Sequence, residues 1–272
     1  MRRLLDVVSL VGMIAIACVL ATSVAFAYEE GEAGKAVIQG IITFKGTPPP
    51  PILIPIGRIA LPAYKYCSRF YHDGKGNRII RGVTVNKGRL QDVVVSIRNI
   101  TKGKPFLFTG TDVIVRGCEF LVQGGPSTFV GVVVKKAELR VLNNDADPSD
   151  PRAATGVLHH PHAYEVSGDR NTTIFSLVLI EKGDVLTKPV ILRKKDSVFL
   201  LENDSPHLSK AWFLPVDNPY YAIVGSAGTY EIDRVPPGTY QMIAWHPLLG
   251  IQEQEIDVGA TGTVTADFEF AH

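Results

Sequence analysis

The strongest constraint on this chain is the rhythm of its apolar residues. Val37 to Phe44, Val93 to Ile97, Phe129 to Val134, Val198 to Leu201, Thr239 to Trp245 and Val264 to Phe270 are short runs with the alternating character of strands. Residues two apart on a strand share a face, so each run describes a segment that buries one or both of its faces. Turn formers separate them: Lys45-Gly46-Thr47 before four prolines, Asp73-Gly74-Lys75-Gly76-Asn77, Gly124-Gly125-Pro126 and Pro236-Pro237-Gly238. A sustained apolar stripe at three-to-four-residue spacing, bounded by helix caps, is missing. The pattern predicts an all-β chain built as a sandwich.

The first residues point to export. Arg2 and Arg3 precede an apolar run from Val7 to Leu20, and Ala25-Phe26-Ala27 offers small residues where a signal peptidase reads. The expectation is a signal peptide over residues 1–27, cleaved after Ala27, and a periplasmic or extracellular protein; a retained anchor is the alternative. Loss of Arg2, Arg3 and Asp6 with that segment leaves 26 basic and 26 acidic side chains. Such a balance argues against electrostatic capture of nucleic acid or of an anionic membrane surface, and no membrane span is expected in the mature chain. Cys18 leaves as well, so Cys67 and Cys118 remain. In an oxidising compartment two cysteines most simply form one disulfide, while a reduced thiolate would be a metal ligand.

Three stretches look like boundaries. Pro48 to Pro51 cannot join a central strand, since proline has no amide hydrogen for the ladder. Asn143 to Arg152, rich in Asn, Asp and Pro, reads as a surface loop. A compact series of short strands begins after Pro215, which divides the mature chain into residues 28–215 and 216–272.

The C-terminal part carries a resemblance. Asn218-Pro219-Tyr220-Tyr221-Ala222, Gly228-Thr229-Tyr230-Glu231-Ile232, Val235-Pro236-Pro237-Gly238-Thr239-Tyr240 and Trp245-His246 resemble a carboxypeptidase regulatory-like domain. That resemblance implies a small transthyretin-like β-sandwich over 216–272. Upstream, Gly40 to Gly46, Gly88 to Val95, Gly117-Cys118-Glu119-Phe120, Leu142 to Asp145 and Leu158-His159-His160-Pro161-His162 resemble an exported cupredoxin-like protein. This implies a Greek-key sandwich over 28–215, with Cys67 as the partner of Cys118 and a first copper-ligating histidine near His159.

The second ligand loop departs from that family. Alignment on Lys210-Ala211-Trp212 puts Asn203 where the resemblance expects cysteine and Ser209 where it expects methionine, with His207 one place from the expected histidine. A blue copper centre needs a thiolate and usually a weak thioether. The one methionine left after residue 27 is Met242, whose strand position makes it a core residue. What remains is histidine: His159, His162, His207 and His246 are candidate ligands for Cu or Zn, because neutral imidazole binds either ion without a thiolate. Strand alternation places His160 and His162 on one side and His159 on the other. His246 beside Trp245 also reads as a hydrogen-bonding residue at a domain junction, and the rest as polar loop residues.

Other chemistry has little support. A covalent-haem Cys-x-x-Cys-His, a Gly-x-Ser-x-Gly elbow and a His-Glu-x-x-His helix are all missing. Asp145, Asp147 and Asp150 lack the glycine and distal glutamate of a calcium loop and read as a solvated turn. Tyr64, Tyr66, Phe70 and Tyr71 around Cys67 could face a carbohydrate or pack a core. The expectation is a non-catalytic exported binding or interaction protein, with no catalytic residues, that meets a protein partner outside the cytoplasm. A histidine-based copper or zinc binder and a carbohydrate-binding module are the alternatives.

Overall fold

The computed structural model describes residues 28–56, 62–204 and 209–272. The signal-peptide reading of residues 1–27 and the candidate ligand His207 therefore lie outside the described residues. Strands make up 53% of the described residues and helix 2%, as the alternating pattern required. The single helix among the described residues, Pro62–Cys67, is short, and none is long and apolar enough to cross a membrane.

Two sheet pairs form, and they do not follow one another along the chain. Lys35–Lys45 is the centre of the first. It pairs with Thr229–Val235 and Arg89–Leu90 antiparallel and with Thr261–Thr265 and Phe268–Ala271 parallel. The facing sheet has the order Tyr221–Val224, Val93–Arg98, Gly238–His246, Gly250–Val258. Ile38, Ile42, Val95, Ile97, Met242, Ala244, Phe268 and Phe270 meet between them, which makes Met242 a core residue. The expected division into 28–215 and 216–272 gives way to a different arrangement: the strands after residue 216 build their sandwich with strands that precede residue 100. Side-chain alternation reports which face a residue takes but not which distant strand lies alongside, so the sequence could not show this pairing. The Val235 to Gly238 turn carries the chain from one of these sheets to the other rather than joining hydrogen-bonded neighbours.

The second sandwich is inserted between the two halves of the first. Its five-stranded sheet has the order Val130–Val133, Lys210–Pro215, Val198–Asn203, Pro161–Ser167, Arg170–Ser176. Its four-stranded sheet has the order Glu119–Val122, Thr111–Arg116, Glu138–Asn143, Val185–Pro189. Val113, Phe120, Val141, Ala163, Phe199, Leu201 and Phe213 fill the space between. Val93–Arg98 explains how the two sandwiches meet. Val93, Val95 and Ile97 enter the core of the split sandwich, while Val94, with Ile243 and Trp245, packs on Phe129, Val130, Val132 and Leu214 of the inserted one. A strand apolar on both faces is the sequence sign of such double burial.

A ribbon of Ile52–Pro55 and Asn77–Ile80, together with the helix, lies against one end of the inserted sandwich. The disulfide Cys67–Cys118 ties it there, with Cα atoms 5.5 Å apart, within Ile56, Tyr64 and Tyr66.

Candidate functional site

The site grows from a two-residue turn. Thr111–Arg116 and Glu119–Val122 are joined by Gly117 and Cys118, with Arg116 opposite Glu119. Both turn residues have positive φ, 60° and 62°, the conformation that matches the right-handed twist of a hairpin. Glycine adopts it freely; Cys118 is held there by what surrounds it. The Asp145 carboxylate accepts the Gly117 and Cys118 amides, at 2.7 and 2.9 Å. On the other side the Arg78 guanidinium donates to the Gly117 and Cys118 carbonyls, at 3.3 and 3.1 Å. An anion thus holds the turn's donors and a cation holds its acceptors.

Each of these ions has further partners. Arg78 is completely buried and also donates to the Cys67 and Phe70 carbonyls and to Glu119 Oε1, the last at 2.6 Å. Ser209 donates to Glu119 Oε2 at 3.1 Å and accepts the Phe120 amide at 2.6 Å. Burial pushes the Glu119 carboxyl up, while the Arg78 charge and the Ser209 hydroxyl act the other way. Asp145 also accepts His159 Nε2–H at 3.0 Å and the Tyr66 hydroxyl at 3.2 Å. Burial alone would raise the Asp145 carboxyl, but donors from His159, Cys118 and Gly117 hold it below the usual range.

The His159 ring completes the network. The His160 amide donates to Asn203 Oδ1 at 2.9 Å, which fixes the orientation of that side-chain amide. Asn203 Nδ2 therefore faces His159 Nδ1, at 3.0 Å, as a donor. Nδ1 must accept, so the proton sits on Nε2 and points to Asp145. Cys118, Asp145 and His159 bring their ligand atoms within 4.8 Å of one another. However, the Cys118 sulfur is consumed by the disulfide and His159 Nε2 carries a proton rather than a free lone pair. Copper at the position implied by the family resemblance does not fit either: Asn203 and Ser209 offer an amide and a hydroxyl already bonded within the protein, and the Asn203 amide caps His159 Nδ1.

The structure does not bring His159, His162 and His246 together. His159 lies inside the inserted sandwich, His162 lies on the outer face of its five-stranded sheet, and His246 lies in the split sandwich. His160 shares the outer face with His162, as alternation predicted. His246 does not hydrogen-bond at the junction. Alternation puts Trp245 there and turns His246 the other way, where its ring meets Phe270 edge-on at 6.5 Å. Its Nδ1 accepts the Leu248 amide and its Nε2 is buried without a partner. Burial lowers the imidazole to about 4.

A pH dependence follows. Between its unfolded value near 6.5 and about 4, His246 binds a proton in the unfolded chain and not in the folded one. Stability is therefore complete above that window and falls by about 3 kcal/mol as pH drops through it. Urea unfolding from pH 7 to 4 is expected to show this slope, and His246→Leu to flatten it. An unchanged slope in the variant would contradict the assignment.

The aspartates are not a solvated turn. Asp145, Asp147 and Asp150 are all buried, because each side chain is used: Asp147 pairs with Arg69 at 2.7 Å and Asp150 with Arg152 at 3.0 Å. The aromatics near Cys67 do not form an exposed row. Tyr64 and Tyr66 pack on the disulfide, Tyr66 tilts on Phe70, and Tyr71 alone is largely exposed. A cleft of about 580 Å³ opens elsewhere, on the split sandwich beside Gly40, Tyr230 and Asp267, and no histidine lines it. Sequence reasoning missed Arg78, Glu119 and the second role of Asn203, and no spacing in the chain marks them. Compared with known proteins, the chain matches no family model, no curated protein and no solved structure.

Proposed function

We propose that this is a non-catalytic, exported binding or interaction protein whose inserted sandwich is a cupredoxin-like scaffold with a hydrogen-bonded network in place of copper. The observation that carries the reading is the Asn203 amide donating to His159 Nδ1, the nitrogen a metal would need. The disulfide suits an oxidising compartment. Paired on one side only, the seven-residue edge strand Arg170–Ser176 contains no proline and is largely exposed, the kind of edge to which a partner strand adds. An accessory role in an extracytoplasmic assembly fits these features.

The reading makes a spectroscopic prediction. Wild-type protein with Cu(II) should lack an intense thiolate-to-copper absorption, and Asn203→Cys combined with Ser209→Met should create one. A coloured wild-type complex that disappears in His159→Gln would overturn the proposal. A folded but colourless double variant would remove the cupredoxin scaffold from it.

A further inference from the structure

The outer face of the five-stranded sheet carries a second histidine group that the buried network does not use. Pro161–Ser167 runs antiparallel to Val198–Asn203, with His162 opposite Glu202, and the Asp204 amide donates to the His160 carbonyl. Cross-strand partners share a face, so His160, His162, Glu202 and Asp204 lie together on the side away from the core. Two imidazole nitrogens converge on one carboxylate oxygen. His162 Nδ1 is 2.7 Å from Asp204 Oδ2 and His160 Nδ1 is 4.0 Å from the same atom.

We propose that His160, His162 and Asp204 form a binding site for a divalent first-row metal ion, taking Cu(II) most tightly and Zn(II) next. Three details support the assignment. First, the far nitrogens are already oriented by hydroxyls on the edge strand: His160 Nε2 meets Ser176 Oγ and His162 Nε2 meets Thr173 Oγ1, both at 2.9 Å. Without an ion, His162 Nδ1–H donates to Asp204; an ion displaces that proton, and the hydroxyls then accept the Nε2 protons, which is how ligating histidines are usually held. Second, ligand atoms around one such ion lie about 3 to 3.5 Å apart, given bonds of about 2.0–2.1 Å. The two distances to Asp204 bracket that range, while the two imidazoles stand more than 4.8 Å from each other, so His160 must turn inwards to close the site. His160, whose side chain is 32% exposed, has room to rotate inwards. Third, the donor set of two imidazoles and one carboxylate matches these ions, and the order of affinity among them favours copper.

Neighbouring groups fit this arrangement. The Tyr164 ring stacks on His162 at 4.0 Å, and its hydroxyl lies 2.8 Å from His162 Nδ1 and 3.5 Å from Asp204 Oδ1. When an ion takes Nδ1, the phenol keeps Asp204 as its acceptor. Glu202, paired with Lys210 at 3.3 Å, adds a second carboxylate to the same face. The site uses the opposite side of the strand from His159, so it stands whether or not the interior network has displaced copper.

The test is calorimetric titration of the purified protein with Cu(II) and with Zn(II), together with electron paramagnetic resonance of the copper form. One ion per chain should bind, with nitrogen hyperfine structure from two imidazoles. His160→Ala and His162→Ala should each weaken binding at least about 100-fold, more than the loss of an outer-shell partner does, and Ser176→Ala about 10-fold. His159→Gln should leave it unchanged. Absence of binding, or binding indifferent to His160→Ala and His162→Ala, would overturn the site. Binding abolished by His159→Gln alone would instead place the ion in the interior and sink the reading of that pocket as closed.

Discussion

Arg78→Met is expected to destabilise the protein by about 3–5 kcal/mol, because it leaves Glu119 buried without its counter-ion. The guanidinium is fully buried and reaches four backbone carbonyls as well as the carboxylate, so the substitution also orphans acceptors in the Cys67–Phe70 segment and in the Gly117-Cys118 turn. For a chain of this size the melting temperature should fall by roughly 6–20 °C. Adding Glu119→Leu separates the two contributions. If the unpaired charge dominates, the double variant should recover most of the loss, since apolar replacement of a whole buried pair is often neutral. If the carbonyl contacts dominate, it should not recover. A loss below about 1 kcal/mol for Arg78→Met would mean that the buried pair is structurally idle.

Removing the disulfide should have an effect of similar size. Cys67 and Cys118 are 51 residues apart, and closing a loop of that length in the unfolded chain is worth about 4 kcal/mol. Cys67→Ser with Cys118→Ser is expected to lower denaturant stability by about that amount. The loss should be concentrated at one end of the inserted sandwich. There the bridge holds the helix Pro62–Cys67 and the ribbon of Ile52–Pro55 and Asn77–Ile80, and amide exchange in those elements should accelerate most. Uniform acceleration across both sandwiches would show that the bridge stabilises only through the unfolded state. The bridge and Arg78 join the same two regions, so the combined variants should not be additive.

The two effects share one physical origin. Cys118 sits in a left-handed conformation that a non-glycine residue adopts at a cost, and it stays there because its amide, carbonyl and sulfur are each held from a different direction. The amide is held by Asp145, which also orients His159. Loosening the turn should therefore be felt in the histidine pocket.

Much of this was legible in the chain. Alternation put Met242 in a core, placed His160 and His162 on one face and His159 on the other, and marked the all-β class. Cys67 and Cys118, with Cys18 assigned to the expected signal peptide, predicted one bridge. His246 was expected at a domain junction beside Trp245, but on adjacent strand positions only Trp245 faces it. The domain division failed for a different reason. A period of two reports the face a residue takes on its own strand, and it carries no information about which strand lies alongside. The pairing of Lys35–Lys45 with strands near the other end of the chain is settled by the burial of Ile38, Ile42, Phe268 and Phe270 together.

The polar network was hidden for a related reason. An arginine before two isoleucines, a glutamate before a phenylalanine and an asparagine at the end of an apolar strand look like ordinary surface residues. Only when folding closes the ribbon over the inserted sandwich do Arg78, Glu119 and Ser209 meet, and only then does Asn203 turn its amide to His159. By itself, then, the sequence determined the strands and their buried faces, and it pointed to one bridge between Cys67 and Cys118. The tertiary structure decided how the strands pair and which buried charges find partners, because both depend on contacts between residues far apart in the chain.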